Sequence, residues 1–133
     1  MTKIILATGS APRKEAFEFL DVPFIAEESD IDEYFEERPQ DPEELVQQLA
    51  KLKAEAVAKN HKEGIVIGFD SVGFFKDKIL EKPKSREEAF NRLKGLSGDK
   101  YDFITGFLLL SVIILDFPTS SIINKSFMDS IVL

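Results

Sequence analysis

The segment Ile65 to Phe75, IVIGFDSVGFF, is the most strand-like stretch of this sequence, and the interpretation of the chain starts from it. It combines the length of a strand with the β-branched and aromatic content of a buried one. The stretch Lys76 to Lys78 that follows it, before Ile79 and Leu80, is typical of a hairpin connection. This part of the chain therefore predicts a long central strand with a short partner.

Helical and strand-like segments alternate on both sides of this strand. Lys3 to Ala7 predicts a short buried strand, and Ala11 to Leu20 follows it with a helical pattern. Asp41 as a cap, with Pro42 next to it, predicts a second helix that runs to about residue 60. A further strand and a further helix are expected at Val22 to Ala26 and from Ser85 to about Gly95. The alternation predicts an α/β domain whose helices cover a central sheet.

The composition of the 133 residues limits the class of protein. This length suffices for one core without disulfide or metal support. The chain has no cysteine and a single histidine, His61, which excludes thiolate zinc sites, cysteine nucleophiles and multi-histidine metal sites. A bound metal ion would need oxygen ligands, as Mg²⁺ does. The net charge of -7 argues against binding to a nucleic acid polymer, whereas single nucleotides stay candidate partners.

The apolar runs of the sequence predict neither a signal peptide nor a membrane segment. The run at the N-terminus is too short for a signal peptide and leads directly into polar residues. The longest apolar stretch, Phe107 to Leu115, is about half of a membrane span. We therefore expect a soluble, cytoplasmic protein that has no membrane partner.

Two charged residues stand where the pattern calls for apolar ones. Lys53 falls inside the apolar stripe of the second helix, where it either extends its ammonium outward to solvent or serves as a functional ammonium. Asp70 interrupts the central strand, at a position where α/β folds place ligand sites or where an aspartate caps a turn. Because an isolated buried carboxylate is costly, Asp70 predicts a paired charge or a metal ion.

The turn Thr8 to Ser10, between the first strand and the first helix, is a candidate phosphate site. Free N–H groups at the helix N-terminus, with Arg13 nearby, attract anions. The alternative is an ordinary capped helix with solvated basic residues. Ser29 to Glu33 clusters three acids that either supply a metal ligand or a base, or form a solvated acidic loop. Lys82 adds one more cation after the hairpin.

Taken in order, these segments resemble the Maf family, also called septum-formation-like proteins, which are nucleoside triphosphate pyrophosphatases. The motifs that carry the resemblance are Ile4 to Glu15 (IILATGSAPRKE), Ser29 to Glu33 (SDIDE), Leu49 to Ala58 (LAKLKAEAVA), Gly68 to Val72 (GFDSV), Leu80 to Pro83 (LEKP), and Leu96 to Gly98 with Thr105 and Gly106. The resemblance implies a Maf/ITPase-like fold, with a central mixed sheet flanked by helices. It implies hydrolysis of dTTP, UTP or a modified nucleotide to a monophosphate and pyrophosphate, assisted by a divalent metal cation, Mg²⁺ or Mn²⁺.

The resemblance also implies roles for individual residues. Asp70, Glu33 and Lys53 would be catalytic, and the carboxylates of Asp70 and Glu33 would hold the metal ion. The residues that bind the triphosphate would be Ser10, Arg13 and Lys82. These are the same residues that the charge and hydropathy pattern marks as unusual.

The resemblance extends over residues 2 to 107, and we expect residues 1 to 107 to form a Maf-like nucleotide-binding domain. Residues 108 to 133 carry only three charged side chains and lack the two motifs of the family's second lobe, which are similar to Asp-Lys-Ala-Gly-Ala-Tyr and Gly-Ile-Gln-Gly. We expect a truncated member whose divergent apolar tail replaces that lobe and is not a separate domain. Within the motifs, Ala11 and Pro12 leave one of two usual arginines missing, Phe69 replaces an alanine and Tyr101 replaces a histidine.

Two other functions stay open at this point. A truncated relative could be inactive and could bind nucleotides or self-associate as a homodimer, because a missing lobe exposes a sheet edge and 107 to 117 is apolar. A phosphatase that forms a phospho-aspartyl intermediate on Asp70 is the third hypothesis. The Asp-x-Asp pattern of that chemistry is absent around Asp70, which disfavours it.

Overall fold

A computed structural model describes residues 2 to 113, which form one mixed sheet with helices on both faces. The strands in this part of the chain are β1 (Ile4–Ala7), β2 (Ile25–Glu27), β3 (Gly64–Phe75), β4 (Lys78–Leu80) and β5 (Asp102–Val112). The helices are α1 (Ala11–Glu18), α2 (Pro42–Ala58) and α3 (Arg86–Leu96). The expected α/β class and mixed sheet are confirmed.

The long strand β3 organises the sheet, and its two edges differ. Along one edge β5 pairs antiparallel with β3 from residue 64 to residue 74. Along the other edge β1 runs parallel to Ile65–Gly68, and β4 runs antiparallel to Gly73–Phe75. Neither short strand pairs with residues 69 to 72. This gap in the pairing leaves the middle of β3, including Asp70, open at the carboxyl end of β1.

Helix α2 covers one face of the sheet and supplies most of the core. Its start is stabilised by the Asp41 carboxylate, which accepts a hydrogen bond from the Glu44 backbone N–H at 2.9 Å. Its buried face consists of Pro42, Leu45, Val46, Leu49, Ala50, Ala54 and Val57. These side chains pack on the alternate residues of β1, β3 and β5 that point toward the helix. The predicted amphipathic helix is therefore present, with its end at residue 58 instead of 60.

Helix α1 packs on the opposite face of the sheet through an aromatic contact. The Phe17 ring meets the Phe69 ring edge to face, with centroids 6.0 Å apart, and it meets Phe24 in the same manner at 5.7 Å. The replacement of a small residue by Phe69 thus supplies the sheet surface on which α1 lies. The helix ends at Glu18, two residues before the predicted end, and β2 begins at Ile25, three residues later than expected.

The only histidine of the chain fixes the end of α2 to β2. His61 Nε2 lies 2.8 Å from a carboxylate oxygen of Glu27, and the Asn60 amide donates to the other oxygen at 2.5 Å. The bond from Asn60, followed by the bond from His61, lowers the pKa of Glu27. This cluster gives His61 a structural contact outside the sheet gap.

Ser85 is the N-cap of helix α3, and the helix begins at Arg86. The Ser85 hydroxyl accepts from the Glu88 N–H at 3.0 Å, while the Glu88 carboxylate accepts from the Lys84 N–H at 2.9 Å. The capping is therefore reciprocal, although its second bond reaches Lys84 one residue further out. All side chains of α3 stay partly or fully exposed in the described part of the chain.

The boundary that we expected after residue 107 falls inside a strand. Leu108 to Val112 continue β5 without a break, and they pair with Gly64–Gly68 of β3. Leu108, Leu110 and Val112 also pack against the core under α2. The first five residues of the expected tail thus belong to the sheet, and 114 to 133 lie outside the described residues. Between residues 2 and 113, no helix combines the length and the hydropathy that crossing a membrane requires.

We expect Gly68→Ala to lower the free energy of unfolding by about 3 kcal/mol, because two glycines let α2 approach the sheet. A Cβ on Gly68 would lie 2.0 Å from the Ala50 carbonyl oxygen, and one on Gly106 would lie 2.8 Å from that of Val46. Urea unfolding measures the change. Gly95→Ala in α3 is the control, because a Cβ there meets nothing within 4 Å. Equal stability of the two variants would contradict the close packing of α2.

Candidate active site

A cleft of about 400 Å³ opens beside the unpaired part of β3, at the carboxyl end of β1. It is lined by Ala7, Thr8, Gly9, Ser10, Arg13, Glu28, Ser29, Glu33, Lys53 and Lys82. Five of the six candidate residues from the sequence are in this lining. The sixth, Asp70, lies directly behind Lys53 and is buried. The structure therefore brings all six together from α1, α2, β3, the acidic loop and the segment after β4.

The Lys53 ammonium lies between two carboxylates. Its Nζ atom is 2.8 Å from Asp70 Oδ1 and 2.9 Å from Glu33 Oε1. The Lys53 side chain is only 14% exposed, and that of Asp70 only 9%. The Lys53 ammonium thus does not extend outward to solvent, and the functional ammonium that is the other alternative stays a prediction. Asp70 is correspondingly a paired charge within β3 and does not cap a turn.

Two carboxylates share the Lys53 ammonium, and this contact affects the pKa values of Lys53 and Asp70. Burial alone would lower the pKa of Lys53, but its hydrogen bonds to Asp70 and Glu33 outweigh burial and raise that pKa above its ordinary value. Burial raises the pKa of Asp70, the bond from Lys53 offsets this only in part, and the negative charge of Glu33 raises the pKa further. Lys53 is therefore held charged, and Asp70 is a stronger base than an exposed aspartate.

Arg13 reaches the cleft from the first turn of α1 and is held by uncharged groups. Its Nη1 donates to Thr8 Oγ1 at 3.3 Å and its Nη2 donates to Ser71 Oγ at 2.9 Å. Its guanidinium carbon lies 5.6 Å from the centre of the Phe69 ring. None of the salt bridges between residues 2 and 113 involves Arg13. Its positive charge is therefore available to an anion in the cleft.

The turn before α1 has the geometry of an anion site. Ser10 has the extended backbone of an N-cap, but its side chain makes no capping hydrogen bond to the helix. Its own N–H donates to Thr8 Oγ1 at 3.2 Å, which folds the turn around the cleft. Ser10 thus does not cap the helix with its hydroxyl, and it lines the cleft together with Lys82. Backbone N–H groups at such a helix start favour phosphate.

An ion pair that the sequence analysis left out holds the acidic loop in place. Arg38, the one base among ten carboxylates between Glu27 and Glu44, binds Glu81 at 2.5 Å. The hydrogen bond to Glu81 raises the pKa of Arg38 above its ordinary range. Arg92 of α3 binds the Glu81 backbone carbonyl. This chain of contacts connects the loop that carries Glu33 to the segment that carries Lys82.

Three further residues around the cleft lie in segments that the sequence singled out, although no role was predicted for their side chains. Thr8 is buried and accepts from both Arg13 and Ser10, whereas Ser71 and Thr105 lie on the sheet face that meets α1. Only the alternation along β3, which turns Ser71 away from Asp70, could have indicated its face. Thr105 belongs to one of the motifs of the resemblance, but its place beside Ser71 depends on the register of β5.

The donor set fits a divalent cation that is completed by a substrate. Asp70 and Glu33 approach one point from two elements, and the Lys53 ammonium shows that this point attracts positive charge. Between residues 2 and 113, no group of three or more carboxylate or histidine side chains has the arrangement of a metal cage. Mg²⁺ commonly uses one or two carboxylates together with phosphate oxygens and water. A cation here would accordingly depend on the phosphates for the rest of its ligands.

Comparison with known proteins identifies relatives over most of the chain. A family model described as "Maf-like protein" matches residues 3–126. The chain is 39% identical to a dTTP/UTP pyrophosphatase of Ruminiclostridium cellulolyticum over 112 residues, which are 84% of this chain and 58% of the relative. It is 42% identical to a dTTP/UTP pyrophosphatase of a Geobacillus species over 84% of this chain and 59% of the relative. For the enzyme of that name from Halalkalibacterium halodurans the identity is 41%, over 83% and 57%. The chain thus spans less than three fifths of the length of these relatives.

We expect Lys53→Met to destabilise the protein by about 3 kcal/mol at neutral pH, because it leaves two carboxylates facing each other. Asp70→Asn should change stability by less than about 1 kcal/mol, because Lys53 keeps Glu33. The raised pKa of Asp70 means that folding favours its neutral form, so its stabilising contribution is complete below its ordinary value of 3.8 and is lost as pH rises through the raised pKa. Urea unfolding of both variants measures the difference.

Lys51→Met is the control for this comparison, since its Nζ lies 3.8 Å from Glu55 and the side chain is 50% exposed. We expect a change of less than about 0.5 kcal/mol for it. A loss of stability in Asp70→Asn as large as that in Lys53→Met would contradict the shared ammonium.

Proposed function

The chain belongs to the Maf-like protein family, and from that premise we propose that it hydrolyses a nucleoside triphosphate to a monophosphate and pyrophosphate. The observation that carries the proposal is the cleft in which Arg13 and Lys82 accompany the cluster of Lys53, Asp70 and Glu33. Relatives about 40% identical are named dTTP/UTP pyrophosphatase, so dTTP and UTP are the first substrates that we expect. A modified nucleotide is the alternative substrate.

In the proposed reaction the triphosphate lies along the cleft, and its negative charge faces the side-chain cations of Arg13, Lys53 and Lys82. Arg13 and the N–H groups at the start of α1 would bind phosphate oxygens on one side, near Ser10. Lys82 would bind them on the side of the acidic loop. Phosphoryl transfer depends mainly on positioning and on charge stabilisation, which these groups supply. No covalent intermediate with the protein is required.

Asp70 is the proposed base for the attacking water. The water oxygen bonds to the α phosphorus, and the bond between that phosphorus and the α–β bridging oxygen breaks, with pyrophosphate leaving with the electron pair. Asp70 accepts the proton that the water gives up. Its burial and raised pKa suit it for this role, because a base is most effective when its pKa approaches the working pH. Lys53 keeps the carboxylate oriented.

Asp70 and Glu33 are the residues that we propose to hold a divalent metal cation. Mg²⁺ or Mn²⁺, when bound, would neutralise charge on the phosphate oxygens and on the leaving pyrophosphate. Lys53 is the other positive charge at the same two carboxylates, so it would share them with the cation.

Cytoplasmic location stays a prediction from the sequence.

We expect Asp70→Asn to reduce pyrophosphate release from dTTP or UTP by about a thousandfold or more, because the amide cannot accept the proton from water. Release is measured with Mg²⁺ or Mn²⁺ in a coupled phosphate assay. Asp77→Asn, in the turn between β3 and β4, is the matched control, since its left-handed backbone (φ 61°) also suits asparagine. Full activity in Asp70→Asn would reject the assignment.

The pH dependence provides a separate test of the same base. Asp70 must be ionised to accept a proton, so the rate should fall as pH falls through the pKa of Asp70. Measuring kcat/KM across acid pH checks this. A rate that does not fall as pH is lowered through the range of carboxylate titration would contradict Asp70 as the base.

A second candidate function is nucleotide binding or self-association without turnover. It is favoured by exposed aromatic side chains on β5. Phe103 is 69% exposed and Phe107 is 44% exposed on the face turned away from α2. Size-exclusion chromatography and thermal shifts with UTP and Mg²⁺ separate the two functions. A monomer that is stabilised by the nucleotide favours the enzyme, and concentration-dependent association without a nucleotide effect favours the second candidate.

A further inference from the structure

We infer that Ser71 and Thr105 are positioning residues that aim the Arg13 guanidinium at the phosphates of the substrate. The inference deepens the proposed function and rests on it for the nature of the anion. It starts from the contacts of Arg13, whose Nη2 atom donates to Ser71 Oγ at 2.9 Å. Ser71 Oγ in turn lies 2.8 Å from Thr105 Oγ1. The three side chains form a hydrogen-bonded row that crosses from α1 to β5.

The chemistry of the guanidinium fixes which group donates in the first hydrogen bond of this row. A guanidinium has five N–H donors and no acceptor, so Ser71 must accept from Arg13. The hydroxyl hydrogen of Ser71 then remains available to Thr105. Thr105 is the register partner of Ser71 across β3 and β5, so the sheet itself fixes the separation of the two hydroxyls. Arg13 is thus held by a rigid pair, although it stands on the first turn of a helix with no buried residues.

The neutral character of these partners matters for the function of Arg13. A carboxylate at the position of Ser71 would neutralise the guanidinium and compete with phosphate for it. The hydroxyls, together with Thr8 and the Phe69 ring, restrict the orientation of Arg13, and none of the salt bridges between residues 2 and 113 involves it. A long side chain that is already ordered loses less conformational entropy when the anion binds. Ser71 and Thr105 therefore act through Arg13 and do not line the cleft themselves.

The test is a double-mutant cycle on binding of inorganic tripolyphosphate, followed by calorimetry and by the KM of UTP. We expect Ser71→Ala to weaken binding about tenfold, because it removes a hydrogen bond to the charged Arg13. Thr105→Val should weaken binding about threefold, because it removes only the hydrogen bond that supports Ser71. In an Arg13→Ala background neither substitution should weaken binding further. Ser71→Thr keeps the hydroxyl and should bind as the unmutated protein does. In Ser71→Ala and Thr105→Val the KM of UTP should rise, and kcat should change less.

The control is Ser111→Ala, which removes a hydroxyl from the same face of β5 beyond the row. Equal weakening by Ser71→Ala in both backgrounds, or none in either, would overturn the inference. If Ser71→Ala fails to fold in a thermal scan, Thr105→Val supplies the same cycle from the other end of the row. Absence of pyrophosphate release by the unmutated protein would count against the proposed function alone, because tripolyphosphate binding needs no turnover.

Discussion

The ammonium of Lys53, shared by Asp70 and Glu33, is the interaction on which the rest of the site depends. It joins helix α2, the central strand β3 and the acidic loop at one point. Each of these groups would be costly alone, since a buried lysine or aspartate is stable only when paired. Because one cation faces two carboxylates, the cluster has an excess of negative charge and attracts a further positive charge. This property makes it a suitable place for a substrate that carries a metal ion.

The topology of the sheet explains why this cluster lies at a cleft. Strand β3 is paired along its whole length by β5 on one edge, but β1 and β4 divide the other edge between them. The interval at residues 69 to 72 leaves space next to Asp70, and the turn from β1 into α1 closes it from the side. Ligand sites of α/β folds lie at the carboxyl ends of parallel strands, and β1 ends at this interval. The two faces of β3 then serve different purposes, with Asp70 directed to α2 and Ser71 directed to Arg13.

Local patterns in the sequence predicted the site residues whose charge does not fit the apolar residues around them. Lys53 stands inside an apolar stripe and Asp70 inside an apolar strand. In the structure the two side chains are largely buried and form an ion pair. The acidic loop was harder, because it holds several carboxylates and nothing local distinguishes Glu33 from Asp30 or Asp32. Only the path of the loop, which Arg38 fixes through Glu81, decides which of them reaches Lys53.

Local sequence patterns could not predict contacts that depend on strand register or on elements far apart in the chain. The row from Arg13 through Ser71 to Thr105 joins residues that are far apart in the chain, and it exists only because β3 and β5 pair in one register. The same pairing carries β5 past residue 107, where composition alone indicated a change. The resemblance to a family supplied the roles of the six candidate residues, and those roles stay predictions until activity is measured.

The most direct test of the shared ammonium is a carboxyl-carbon NMR titration of Asp70 in the unmutated protein and in Lys53→Met. Burial and the nearby negative charge of Glu33 predict an Asp70 midpoint above its ordinary value of 3.8, and removal of Lys53 should raise that midpoint further. A midpoint at or below 3.8 that does not move in Lys53→Met would contradict this description of the site.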